Sequence, residues 1–130
     1  MGSNITDPSI ISFLITACSE HGFTPFHVKK SSNGYIFNRI WAAIKREALF
    51  VAAEGVATPT EIDAIYRDIL KTPMGPFEQM DVVGLDVALA IEEHYADCRN
   101  DLPMEPRNLL AQMIEEGKLG VKSGEGFYKY

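Results

Sequence analysis

Apolar residues recur every three or four positions through most of the chain, so helices are the elements this pattern predicts. The longest apolar stripe has Ile36, Ile40, Ile44 and Ala48 at steps of four, thickened by Phe37, Trp41 and Val51. It predicts an amphipathic helix that closes at Gly55, a residue suited to a helix C-terminus. In front of it, Asn33-Gly34 is a turn dipeptide, because Gly accepts positive φ and Asn tolerates it. Asn38 and Arg39 therefore fall in the first turns, where helical N–H groups have no intrahelical partner. Two roles are open to Asn38: it satisfies local backbone groups, or it points from the helix end toward a neighbouring domain or ligand.

The same pattern divides the rest of the chain. Asp7-Pro8 reads as N-cap and first helical residue, Ile11, Leu14, Ile15 and Cys18 carry the helix, and Gly22 ends it. Phe23 to Lys29, with Phe26 and Val28 among polar neighbours and Pro25 inside, predicts a short strand near a sheet edge. A lone strand leaves backbone groups unpaired, so it calls for a second copy or for a sheet supplied by sequence outside this chain.

Beyond Gly55 the prediction is wholly helical. Thr58-Pro59-Thr60-Glu61 is a capping box ahead of Ile62, Ile65, Tyr66 and Ile69. Lys71 to Pro76 breaks that helix, and Pro76 starts another carrying Phe77, Met80 and Val83. Gly84 interrupts it before Leu85, Leu89, Glu92 and Tyr95. A last helix holds Leu109, Leu110, Met113 and Ile114, and a glycine-rich tail runs from Lys118 to Tyr130.

Composition narrows the function. The 130 residues suit one domain, and a net charge of −6, with Lys29-Lys30 and Lys45-Arg46 only as pairs, argues against a nucleic-acid surface. Cys18 and Cys98 are too few for a disulfide scaffold and lack metal-ligand spacing; Cys18, on an apolar face, reads as a small core residue. No apolar run spans a membrane and no leader pattern opens the chain, so the expected compartment is cytoplasmic, with organelle import left open. Residues 1–6 read as a tag or disordered lead. His21, His27 and His94 are scattered, and Gly124-x-Gly126 has no helix after it, so neither a metal site nor a phosphate loop is indicated. Glu78 and Asp81 sit three apart near a helix start, where carboxylates complement the dipole. Lys122 is either solvated or set to meet an anionic ligand.

Longer motifs add what spacing does not. Asn33-Gly34-Tyr35-Ile36-Phe37-Asn38-Arg39 resembles the "PGF-x-x-NR" junction of 3-hydroxyacyl-CoA dehydrogenases, with Asn33 in the place usually held by Pro. Met74-Gly75-Pro76-Phe77-Glu78 resembles their "MGPFE" turn, followed by Asp81-x-x-Gly84-Leu85-Asp86. The tail from Gly120 through Lys122-Ser123-Gly124-Glu125-Gly126 to Phe127-Tyr128 is similar to their closing "G-x-K-[ST]-G-x-GFY".

The resemblance implies a mainly α fold. Residues 31–130 would be the helical C-terminal, substrate and dimerisation domain, and residues 7–30 the last helix and strand of a Rossmann domain. It also implies an NAD cofactor held by that absent domain, an acyl-CoA substrate and a homodimer. Asn38 would stand in the catalytic centre beside the family's histidine and the substrate carbonyl, and Lys122 would contact NAD. The family's catalytic His and Glu belong to the Rossmann domain, so this chain is not expected to oxidise 3-hydroxyacyl-CoA alone. The rival expectations are a non-catalytic helical dimerisation module and a stand-alone domain turned to another small molecule in an inter-subunit cleft.

Overall fold

A computed structural model describes all residues from Met1 to Tyr130 as six α-helices and one 3₁₀ turn. They fall into two compact units, Met1–Ile40 and Trp41–Tyr130.

The first unit is built on α1 (Pro8–Glu20). Asp7 caps it as the sequence predicts, its Oδ1 accepting from the Ser9 N–H at 2.8 Å, and Gly22 in the left-handed region (φ 81°) follows its end. No residue of α1 is buried, so Cys18, expected in a core, is only half-buried. The predicted strand at residues 23–29 forms no ladder. Extended backbone becomes a strand only beside another strand, and this chain supplies none. Phe13, Phe23 and Phe26 are left 69%, 71% and 78% exposed. In the lead at residues 1–6, the Ser3 and Thr6 side chains close a turn.

Helix α2 (Phe37–Ala53) begins in the first unit and runs into the second. Its helical period is as predicted, but its inward face only in part. Ala42, Lys45, Arg46, Ala48 and Leu49 are buried, whereas Ile36, Phe37 and Ile40 of the expected stripe are 46%, 70% and 55% exposed. The N-terminal end of the stripe is an outer apolar surface, Trp41 and Ala48 farther along it pack in or on the core, and two cations lie inside beside them.

The second unit continues with α3 (Pro59–Leu70), α4 (Pro76–Val83), α5 (Leu85–Cys98) and α6 (Glu105–Glu115). The predicted capping box opens α3: the Glu61 N–H donates to Thr58 Oγ1 and the Thr58 N–H to Glu61 Oε2. Gly84, at φ 103°, separates α4 from α5, a conformation that disfavours any residue with a side chain. Ala48, Leu49, Phe77, Met80, Leu85, Ala88 and Leu110 form the core, with the Phe127 ring edge-on to Phe77 at 4.7 Å.

Candidate functional site

The head of α2 carries Asn38. The chain enters this helix through two consecutive left-handed residues, Gly34 (φ 73°) and Tyr35 (φ 52°). The Tyr35 N–H donates to the Ser32 carbonyl at 3.1 Å, and Arg39 reaches back to Ser32 Oγ at 3.0 Å, which holds the turn closed. A left-handed tyrosine is strained by about 1–2 kcal/mol, and such strain concentrates where a side chain must be aimed. Asn38 is the second residue of α2 and exposed, next to exposed Phe37. The turn sends an amide outward at a helix end.

In the second unit, two carboxylates that are 0% exposed tie the tail to the helices. Asp63 on α3 accepts from the Phe77 and Glu78 N–H groups at 2.9 and 3.0 Å, and so caps α4. The Tyr128 hydroxyl donates to the same carboxylate at 2.9 Å. Asp81 on α4 accepts from the Phe127 and Tyr128 N–H groups and from the Tyr130 hydroxyl, at 3.0, 2.9 and 3.0 Å. Burial, followed by the neighbouring carboxylates, pushes both tyrosine hydroxyls well above the ordinary phenol range. Glu78 accepts from the Gly75 N–H and pairs with Arg67. Of the two carboxylates read as dipole partners, Glu78 acts at the start of α4, whereas Asp81 serves the tail.

These contacts explain why the motif glycines carry no side chain. A Cβ at Gly75 would lie 2.4 Å from Asp63, and one at Gly126 would lie 2.0 Å from Asp81 Oδ1. The "MGPFE" and "G-x-GFY" stretches are therefore two halves of one knot, built on Asp63 and Asp81. Asp63 lies outside every quoted motif, and nothing in its spacing marked it.

Lys122 sits in the 3₁₀ turn Val121–Ser123, between Gly120 and Gly124, both at positive φ. Its ammonium pairs with Asp86 in the first turn of α5 at 2.5 Å, and both side chains are about half-exposed. The lysine lies over the α4–α5 break, where a Cβ on Gly84 would meet Nζ at 3.1 Å. The Lys122 hydrogen bond holds the Asp86 carboxyl below the usual carboxylate range. Asp86 was quoted within a motif, but its spacing gave it no role.

A further charged group is enclosed. Lys45 Nζ reaches Glu92 Oε1 at 3.1 Å and donates to the Ala88 carbonyl at 3.2 Å, and Arg46 Nε donates to Glu92 Oε2 at 2.6 Å. Arg46 also lies 5.5 Å from the centre of the Tyr95 ring. Burial draws the Lys45 ammonium below its ordinary range against the pull of Glu92. The sequence presents Lys45-Arg46 only as a charged pair, and Glu92 only as a residue of the helix that carries Leu85, Leu89 and Tyr95.

Residues 34–130 match the family model of the 3-hydroxyacyl-CoA dehydrogenase C-terminal domain. The chain belongs to the 3-hydroxyacyl-CoA dehydrogenase family. It is 42% identical over 98% of its length to 3-hydroxyacyl-CoA dehydrogenase-like protein LAM1 of Cochliobolus heterostrophus, covering 28% of that protein. It is 44% identical over 75% of its length to a probable 3-hydroxybutyryl-CoA dehydrogenase of Deinococcus radiodurans, covering 35% of it. Among solved structures, (S)-3-hydroxybutyryl-CoA dehydrogenase PaaH1 of Ralstonia eutropha superposes with a TM-score of 0.84 at 32% identity, over 98% of this chain and 45% of that one. The chain thus spans about a third of the length of these curated relatives.

Proposed function

We propose that this chain is the helical half of an NAD-dependent 3-hydroxyacyl-CoA dehydrogenase, completing a substrate cleft whose nucleotide-binding half comes from elsewhere. The observation that carries this is the strained, closed turn that presents Asn38 at the exposed head of α2. An amide there donates to the oxygen of a 3-hydroxyacyl or 3-oxoacyl thioester as charge develops on it, without altering the charge of the site. NAD accepts or gives the hydride at C3. The fit to that cofactor is one-sided: Lys122 offers a donor, while Gly124-x-Gly126 runs into the tail and opens no phosphate-binding helix. The phosphates therefore belong to the other half, as do the base and its carboxylate partner. The exposed stripe of α2 would pack in a homodimer.

The test is NADH oxidation with acetoacetyl-CoA, first with the chain alone and then with a relative's separately produced nucleotide-binding domain. No turnover alone and turnover on mixing is the expected result. Asn38→Ala should then lower kcat about 10²–10³-fold. Turnover by the isolated chain would overturn the assignment of the base to the other half. A non-catalytic dimerisation module is the second reading, favoured by the exposed Ile65, Ile69 and Leu70 of α3. It predicts a stable dimer and no gain of activity on mixing.

A further inference from the structure

Lys45 and Arg46 stand side by side on α2, and both reach one carboxylate, Glu92 on α5. At 2%, 8% and 2% exposed, the three residues enclose one positive charge more than they cancel. Arg46 meets the carboxylate through Nε alone, at 2.6 Å from Oε2. On a guanidinium, Nη2 lies along the same edge as Nε, and a full fork would set it on the second carboxylate oxygen. Here Nη2 is buried without a hydrogen-bond partner, and that second oxygen, Oε1, faces Lys45 Nζ at 3.1 Å. Two cations thus compete for one oxygen, and the loser keeps an unmet donor, which is costly in an interior. Lys45 has a second acceptor in the Ala88 carbonyl at 3.2 Å, whereas Arg46 Nη2 has none. Burial lowers the Lys45 ammonium, Glu92 opposes this, and Arg46 adds to it. The other sealed carboxylates, Asp63 on α3 and Asp81 on α4, are committed to the tail and the start of α4.

We propose that Lys45 is a proton-operated latch on the seam between α2 and α5. Protonated, it holds Glu92 Oε1 and keeps the Arg46 fork half made. When its proton passes to solvent, the neutral amine keeps only the Ala88 carbonyl, and Glu92 turns to accept from both Nε and Nη2 of Arg46. The seam then holds a matched ion pair in place of a surplus cation. A lysine held lower in the folded chain than in the unfolded one sheds its proton first when folded. The contribution of Lys45 to stability therefore rises with pH between its folded midpoint and the ordinary value of 10.5, and is constant outside that window. Tyr128 and Tyr130 keep their protons longer in the folded chain and act in the opposite direction above the ordinary phenol range, so the latch must be read at its own residues.

The test uses the chain as it is and needs no turnover, so it stands apart from the mixed-domain assay. Carbon-detected NMR follows Lys45 Cε, Glu92 Cδ and the Arg46 guanidinium as pH is raised. The expected result is one shared midpoint below 10.5. Above it, rotation of the Arg46 guanidinium about its Nε–Cζ bond should slow about tenfold, because closing the fork adds one charged hydrogen bond. Lys45→Met removes the competing cation and should show the slow rotation at every pH. Wild type should also gain stability relative to Lys45→Met as pH climbs through the midpoint, with the tyrosine effects cancelling between the two proteins. A Lys45 midpoint at or above 10.5 would overturn the proposal. So would a Lys45 transition that leaves Arg46 rotation unchanged, since Glu92 would then not have turned. Should Lys45→Met fail to fold, the wild-type titration alone still decides between these outcomes.

Discussion

A methyl group added at Gly126 would lie 2.0 Å from Asp81 Oδ1, whereas one added at Gly117 would meet nothing within 4 Å. The two glycines thus separate contact from conformation. Gly126→Ala must displace a buried carboxylate that is already fixed by two backbone N–H groups and a tyrosine hydroxyl. It should cost about 3 kcal/mol, as overpacking and a damaged buried hydrogen-bond set together do. Gly117→Ala, strained only by its φ of 78°, should cost about 1 kcal/mol. Urea unfolding of both variants checks the order; equal losses would mean that Asp81 can move. Asp86 gives a second residue-scale expectation. Its folded-state carboxyl is held below 3.8, first by Lys122, so the stability it contributes is present above that value and lost as pH falls through the lower folded one. Lys122→Gln should move the Asp86 midpoint, read from its carboxyl carbon shift, back up toward 3.8.

At the level of elements, α2 and α5 are joined by an unequal set of charges, with Lys45 and Arg46 from one and Glu92 from the other. Removing a cation leaves a matched pair, but removing the anion leaves two buried cations facing each other. Glu92→Leu should therefore destabilise by about 3–5 kcal/mol and Lys45→Met by far less, both read from urea unfolding. The reverse order would show that Glu92 is not the centre of the group. This set also marks where the sequence was legible. Capping chemistry is local, so Asp7, the Thr58–Glu61 box and the break at Gly84 could be read from adjacent residues. Which face of α2 turns inward depends on partners 46 positions away, as between Arg46 and Glu92. The apolar stripe consequently predicted the inward face only in part: Trp41 and Ala48 reach the core, while Ile36, Phe37 and Ile40 stay outside it. Residues 23–29 had the alternation of a strand but no neighbour to make them one. For the site, Asn38 and Lys122 were reached through motif resemblance, whereas Asp63 and Asp86 act through tertiary contacts that spacing does not encode.

On the scale of the whole chain, the two units differ in what protects them. Among residues 1–40 none is fully buried, and Phe13, Phe23 and Phe26 stay exposed; in residues 41–130, Leu49, Leu85 and Leu110 are sealed at 0% exposure. Local opening requires little where few apolar groups leave water, so amide exchange should divide along the same line. Amides of α1 should exchange through low-energy openings, while those around Leu49, Leu85 and Leu110 should exchange only with global unfolding. Denaturant should speed the second set far more than the first, because opening the core exposes more surface. If the first unit is the edge of a nucleotide-binding domain, adding a relative's version of that domain should slow exchange in α1 and in residues 23–29. The second unit should show little change in its core. Slowing confined to the second unit would place the docking surface on the helices instead. Uniform slow exchange in the isolated chain would mean that residues 1–40 are already protected and need no sheet to complete them.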